Sequence, residues 1–416
     1  MRSSVLIAAL AAVAACVAGT GSLRADVGTV QEMVVYVAHR DADLAAIRSA
    51  CHVETGLAAP TEESDLAATE TSDGGRILVY RVRGSSDRDT RRGATRLMRN
   101  RWVTDVFVNS ARKVRGAPTQ IPVIEGDLEP RSVSGQPAMA QVGMARAAAR
   151  GTGRGVLVAV LDGGFDLRHE CLDGRVGGRP WDAVDRDDDP QDLGNGVDDD
   201  DDGTADALVG HGTFTSSLVL AGAADATVLP IRVLDDEGWG SPLAVAEAIQ
   251  YAIDQRADVI NMSLVVSSTT PMVRDAVRAA LDAGIVVVSA AGNERTWQND
   301  PQLARRVITV GATDPAGDVA AFSVTGSHVH VYAPGVAILG ALGGARRNDY
   351  ATWQGTSFAA PFVAALAAIV REESPGLTPE QLRQIVIDAS VPLDAARSPG
   401  RGRLDAAAVA DAAALE

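Results

Sequence analysis

The stretch Gly355-Thr356-Ser357-Phe358-Ala359-Ala360-Pro361 runs without a break into Phe362-Val363-Ala364-Ala365-Leu366-Ala367-Ala368-Ile369-Val370, and it leaves the chain little choice of fold. The segment is apolar on every side. A helix made from it has no face to give to water and must sit in the centre of a domain large enough to enclose it. Ser357 then stands in the first turn of that helix, near the unpaired N–H groups at its positive end. Two readings of such a serine are open. It can be a helix N-cap, or a nucleophile held by a rigid element beside donors suited to an oxyanion. A serine hydroxyl is a poor nucleophile unless a base takes its proton and a carboxylate orients that base, so the rest of the chain decides between the two.

The enclosing domain is legible after residue 137. Short apolar runs at Val156–Leu161, Thr227–Val233, Asp258–Met262, Ile285–Ala290 and Val307–Ala312 read as strands. Helical stretches at 138–149, 212–221, 242–255, 271–283, 357–371, 378–388 and 404–413 alternate with them. Strands of continuous Val, Ile and Ala separated by helices imply an α/β fold, a doubly wound and mainly parallel sheet with helices on both faces. Ligands bind such sheets at the carboxyl ends of the strands. Asp162 follows the first run, Ser263 the third, and Asn293 comes three residues after the fourth.

Asp162 leaves its strand onto Gly163-Gly164, and His211 lies in Gly210-His211-Gly212-Thr213 at the start of a helix. Singly, the aspartate reads as a turn cap and the histidine as a loop residue. Jointly with Ser357 they are the orienter, base and nucleophile that acyl transfer needs, each on a glycine-flanked turn. Lys113 is the only lysine in the chain, which removes a serine–lysine mechanism at Ser357.

With these residues in place, the sequence resembles the subtilisin-like serine protease family, and the order Asp, His, Ser is the subtilisin order. The aspartate box is Val-Ala-Val-Leu-Asp162-Gly-Gly, the histidine box Gly-His211-Gly-Thr and the serine box Gly-Thr-Ser357-Phe-Ala-Ala-Pro. Ala290-Ala291-Gly292-Asn293-Glu294 is similar to the family's oxyanion-hole loop. Val259 to Leu264, with Ser263 and Leu264 at its end, is similar to the strand that binds substrate backbone and walls the S1 pocket, and Gly238-Trp239-Gly240-Ser241 to the other substrate-pairing edge. The resemblance covers roughly 137 to 412. It implies an endopeptidase acting on polypeptides through an acyl-enzyme, with no cofactor required for the chemistry. Some positions depart from the pattern. Gly163 stands where Ser or Thr is usual, Phe358 and Phe362 replace Met and His, and Val265 replaces a glycine that lets a P1 side chain pass, which narrows S1. A reading from another class is a catalytically idle subtilisin fold kept for binding and regulated by its N-terminal domain; such a fold usually has a broken triad or oxyanion box, and here all four positions are filled.

Upstream, Met1-Arg2-Ser3-Ser4 followed by the apolar run Val5 to Ala18 reads as a signal peptide within 1–24, implying export from a bacterial cell, extracellular or periplasmic. Val13-Ala14-Ala15-Cys16 resembles the lipobox of lipoproteins but also suits an ordinary cleavage site, so free export and a lipid anchor at Cys16 both stand open. No later run is long and uncharged enough to make a transmembrane span. Residues 30–115 read as a small α+β domain of ferredoxin-like order, with strands at Met33–Ala38, Arg76–Arg83, Val103–Val108 and near Val53, and helices at Asp41–Cys51 and Asp87–Arg101. The family resemblance implies that this domain is a propeptide that assists folding, inhibits the site and is cleaved off, a partner carried in the same chain. From Arg76 to Arg115 there are twelve basic residues against three acidic ones, either a solvated face or a surface that docks on acidic groups. The proline- and glycine-containing stretch 116–136 reads as a linker, and 137–412 as the catalytic domain.

The formal net charge of −16 makes nucleic acid an unsuitable partner. Twelve of the aspartates fall within 182–206. There, Asp198, Asp200, Asp202 and Asp206 occupy positions 1, 3, 5 and 9 of a calcium loop with Gly203 at position 6. Position 12 is Val209 instead of a bidentate glutamate, so a structural calcium site and a solvated acidic loop both stand open. Cys51 and Cys171 either pair or pack as small apolar groups.

Overall fold

The structure, a computed structural model, describes residues 30–37, 65–70, 76–83, 103–110, 112–113, 122–126, 130–191, 193–198, 203–265, 271–293, 305–344, 348–393 and 401–416. The expected signal peptide with Cys16, Cys51, the helices 41–51 and 87–101, the strand near Val53, and Asp200 and Asp202 lie outside the described residues. The chain forms two compact units. The first contains the N-terminal sheet with Ser241–Tyr251 and Thr270–Ala279; the second comprises Lys113–Gly240, Ala252–Thr269 and Ala280–Glu416.

In the first unit, four strands follow the spatial order Asp65–Glu70, Arg76–Arg83, Val30–Val37, Val103–Ser110. Every neighbouring pair is antiparallel, with Val34 opposite Val79 on one side and Phe107 on the other. The first and third strands in sequence thus lie in the middle and the second and fourth at the edges, the strand order of a ferredoxin-like sheet.

The second unit is built on a nine-stranded sheet among the described residues. Its central strands are β1 (Leu157–Asp162), β2 (Thr227–Arg232), β3 (Val259–Met262), β4 (Val286–Ala290), β5 (Ile308–Thr313) and β6 (Val331–Pro334). They run in the order β6-β5-β4-β3-β1-β2 and pair in parallel throughout. Trp181–Asp182 flanks β2, and Gly402–Arg403 with Val391–Pro392 extends the sheet past β6. Nearly every residue of β1, β3, β4 and β5 is buried. Strands covered on both faces carry continuous aliphatic runs and show no alternation, which is the pattern in the sequence.

Helix α1 (His211–Gly222) and helix α2 (Thr356–Glu373) pack against each other and against this sheet, α2 lying along β3, β4, β5 and β6. Thr356 through Arg371 are all buried. The run of Ala359, Ala360, Ala364, Ala365, Ala367 and Ala368 lets neighbouring elements approach the helix closely, so a segment with no polar face finds apolar partners all round.

Two expectations change. The helix expected over 138–149 is two short helices, Pro137–Gln141 and Met144–Ala147, because Gly143 between them takes a left-handed backbone with φ 69°. The second half of 116–136 is structured: Val123–Gly126 adds to the antiparallel sheet of Ile338–Leu342 and Asp349–Trp353, and Pro130–Ser134 is helical. Proline there begins helices, at Pro130 and Pro137, where its missing N–H has no partner to lose. Lys113, at the start of the second unit, lies on the two-residue strand Arg112–Lys113.

Candidate active site

Register decides which residues meet. Leu161 pairs with Met262, and Met262 with Ser289. Because the strands are parallel, Asp162, Ser263 and the turn from Ala290 to Asn293 all leave the sheet at one rim, and α2 brings Ser357 to Ser263 there: Ser263 Oγ donates to the Ser357 carbonyl at 2.7 Å.

Asp162 and His211 are each 1% exposed, and their distance is 2.6 Å between Oδ1 and Nδ1. Oδ1 also accepts the Gly163 N–H at 2.7 Å, while Oδ2 accepts the Thr215 hydroxyl at 2.9 Å. A carboxylate only accepts, so Nδ1 of His211 is the donor in this pair. Nε2 is buried and makes no hydrogen bond. The imidazole is therefore oriented with Nε2 unencumbered, and no hydrogen bond joins Nε2 to Ser357.

The imidazole is held by rings as well. Trp353 meets it edge-on at 5.6 Å between centroids and Phe358 lies tilted at 5.1 Å, with Phe214 packed on both at 5.8 and 4.6 Å. Gly210 enables the entry: with φ 88° it precedes His211, and a side chain there would collide with Leu342.

Asn293 is buried, and its Oδ1 accepts both the backbone N–H of Thr356 at 2.8 Å and the Thr356 hydroxyl at 2.9 Å. The Thr356 hydroxyl in turn accepts the Gly292 N–H at 3.1 Å. With its oxygen used by two donors, the side-chain amide presents Nδ2 as the donor on its other side, and Nδ2 lies toward Gly355, 3.2 Å from where a Cβ on that glycine would stand. Ser357 itself is 3% exposed.

Gly238 and Gly240 sit on the turn after β2. Asp235 accepts the N–H groups of Glu237 at 3.2 Å and Trp239 at 2.6 Å, and so shapes that edge. Burial pushes the Asp235 carboxyl up to about 6. Leu264 and Val265 are buried beyond Ser263.

Four residues that the sequence reading did not single out also pack or hydrogen-bond around the site: Thr215, Thr356, Trp353 and Asn261, the last donating to Ser263 Oγ at 2.9 Å. Thr215 had a signal, since it lies four residues after His211 on a helix and hence on the same face. Trp353 had none, because it reaches the site from a different sheet.

The acidic insert does not assemble a metal site among the described residues. Asp206 gives its oxygens to the N–H groups of Asn195 and Gly196, at 2.8 and 2.9 Å, and Asp198 accepts the Gly203 N–H at 2.8 Å. These two carboxylates serve the loop's own amides, while Asp200 and Asp202 of the expected calcium loop lie outside the described residues. Cys171 is a free thiol, and burial pushes its pKa up. No helix among the described residues is long and apolar enough to cross a membrane.

Comparison with known proteins agrees with this geometry. The profile of the subtilase family matches residues 153–409. A thermophilic serine proteinase from Bacillus sp. (strain AK1) is 40% identical over 231 residues, which is 55% of this chain and 55% of that protein, so the chain spans about half the length of this relative. Thermitase from Thermoactinomyces vulgaris is 39% identical over 223 residues, covering 53% of this chain and 76% of thermitase. Among solved structures, fervidolysin from Fervidobacterium pennivorans aligns over 95% of this chain and 64% of its own with a TM-score of 0.68 at 19% identity, a likeness of fold.

Proposed function

The chain belongs to the subtilase family, and on that premise we propose that it is a serine endopeptidase that cleaves polypeptides through Asp162, His211 and Ser357. The observation that carries this reading is the buried Asp162–His211 pair at 2.6 Å, which leaves Nε2 without a hydrogen bond on the rim to which Ser263 ties Ser357.

Substrate lies extended between the edge containing Gly238 and Gly240 and the strand end at Ser263 and Leu264, with Gly292 below the scissile bond. His211 Nε2 takes the hydroxyl proton as Ser357 Oγ attacks the carbonyl carbon, and Asp162 holds the imidazole tautomer and stabilises the imidazolium. Asn293 Nδ2 and the Ser357 N–H donate to the oxyanion. The imidazolium then gives its proton to the leaving amine, and water, deprotonated by the same nitrogen, releases the acyl group. No metal enters these steps.

The protein is made as an exported zymogen. The leader at 1–24 directs export, with the fate of Cys16 fixed by which peptidase removes the leader, and residues 30–115 act as propeptide. The ferredoxin-like strand order of the N-terminal sheet supports this. Intact-mass and N-terminal analysis of wild type against Ser357→Ala tests the proposal. Wild type is expected to lose the first hundred or so residues and Ser357→Ala to keep them. An uncleaved, inactive wild type points instead to the idle fold used for binding.

A further inference from the structure

We propose that Asn261 and Ser263 form a tether that holds the nucleophile's backbone in place, with Asn261 a positioning residue for the reaction. The inference rests on the reading of Ser357 as nucleophile. It starts from a gap in α2. Each helical carbonyl accepts the N–H four residues on, but the residue four beyond Ser357 is Pro361, which has no N–H to give. The Ser357 carbonyl is buried and needs a donor from elsewhere.

Ser263 supplies it, Oγ to the Ser357 carbonyl at 2.7 Å. A serine hydroxyl has a single proton and can donate in one direction only. Asn261 decides which direction. Its Nδ2 donates to Ser263 Oγ at 2.9 Å, so the hydroxyl accepts on that side and its proton is left for Ser357. Asn261 is 0% exposed, and its Oδ1 has no hydrogen-bond partner. Turned over, the amide would offer that oxygen to Ser263, draw the hydroxyl proton to itself and leave Ser357 without its donor. A buried acceptor left empty is unfavourable for folding, and here it accompanies the one amide orientation that serves the nucleophile.

The consequence is positional. Asn293 grips the turn through Thr356, and Ser263 grips it through Ser357. Held from both sides, the Ser357 N–H and Oγ keep their aim toward the oxyanion site and toward His211. Ser263 also follows directly on β3 in the strand that lines the substrate, so the tether ties the nucleophile to the element that positions the scissile bond. Loss of the Ser263 hydroxyl misplaces the attacking atom and leaves the backbone of the substrate-lining strand in place, and misplacement of this kind lowers kcat more than it changes KM.

The experiment compares kcat, KM, the second-order rate of Ser357 phosphonylation by a fluorophosphonate, and Tm, in the mature wild type and in variants. Ser263→Ala is expected to lower kcat and the phosphonylation rate about tenfold with KM within about twofold. Adding Pro361→Ala should recover most of that loss, because residue 361 then has an N–H for the Ser357 carbonyl. Asn261→Leu, which removes only the orienting donor, should lose less than Asn261→Asp, whose acceptors compete for the Ser263 proton. Should Ser263→Ala not fold, Ser263→Cys, a weaker donor at the same place, carries the same expectation. An active wild type with Ser263→Ala equal to it, or with no recovery from Pro361→Ala, overturns the tether and leaves the protease reading intact. A wild type that neither hydrolyses peptide nor takes up the fluorophosphonate overturns both.

Discussion

Replacing Asn293 separates two roles that one side chain holds. Its Nδ2 is the donor proposed for the oxyanion, and its Oδ1 anchors the N–H and hydroxyl of Thr356 at 2.8 and 2.9 Å. Losing one oxyanion donor costs roughly 10²–10³ in kcat, or about 2.7–4 kcal/mol of transition-state stabilisation. Losing the acceptor is a cost of another kind. The buried Thr356 N–H would be left unsatisfied, worth about 1–3 kcal/mol of folding stability. For a domain of this size that is roughly 2–4 °C in Tm per kcal/mol. Asn293→Ala removes both functions and should lower both kcat and Tm. Asn293→Asp keeps the acceptor and puts a negative charge where the oxyanion forms, so kcat should fall at least as far while Tm stays near that of wild type. The rates are read on a chromogenic peptide anilide. The melting temperatures are read in a Ser357→Ala background, where autolysis cannot interfere. A kcat within threefold of wild type for both variants would remove Asn293 from the oxyanion site, and an equal Tm loss in the two would refute the anchoring of Thr356.

Other perturbations give equally direct readings. Asp162→Asn should lower kcat by about 10⁴, because an amide no longer selects the tautomer with its proton on Nδ1; a loss under tenfold would show that Thr215 and the aromatic walls fix the ring unaided. Burial raises the Asp235 carboxyl to about 6, so the folded protein holds a proton there that the unfolded chain has released above about 4. Stability from this site is then greatest in acid and falls as pH rises from about 4 to 6. Asp235→Asn, which keeps an acceptor for the Glu237 and Trp239 amides, should remove this slope in Tm against pH, and an unchanged slope would show that the site does not titrate in that range. Gly210→Ala should destabilise by roughly 1–3 kcal/mol through its left-handed backbone and the collision with Leu342, and a neutral effect would mean that this turn relaxes freely.

Much of the architecture was legible because the signals are local and repeated. A strand buried on both faces must be written as an aliphatic run, and β1 to β5 begin and end within a residue of those runs. The proposed triad could be picked out because each member sits beside a glycine-marked turn, Asp162 at the end of a parallel strand and His211 and Ser357 at the starts of helices. What stayed hidden depends on partners distant in sequence. Trp353 reaches His211 from the sheet it shares with Val123–Gly126, and nothing near Trp353 in sequence points to an imidazole. Asn261 looks like any polar residue at the end of a strand until the missing N–H of Pro361, one hundred residues on, is set against Ser263. Gly143 shows the opposite difficulty: within an alanine-rich stretch one glycine reads as a tolerated helix residue, and only its left-handed φ of 69° reveals the break.

The central claim is that Ser357, His211 and Asp162 act as one nucleophilic unit, although the Ser357–His211 hydrogen bond is open in this structure. Reaction of the mature protein with a fluorophosphonate, followed by peptide mapping, tests it most directly. Stoichiometric modification at Ser357 that disappears in His211→Ala is the expected result. Unmodified Ser357 in a folded wild type, or the same labelling rate without His211, would contradict it.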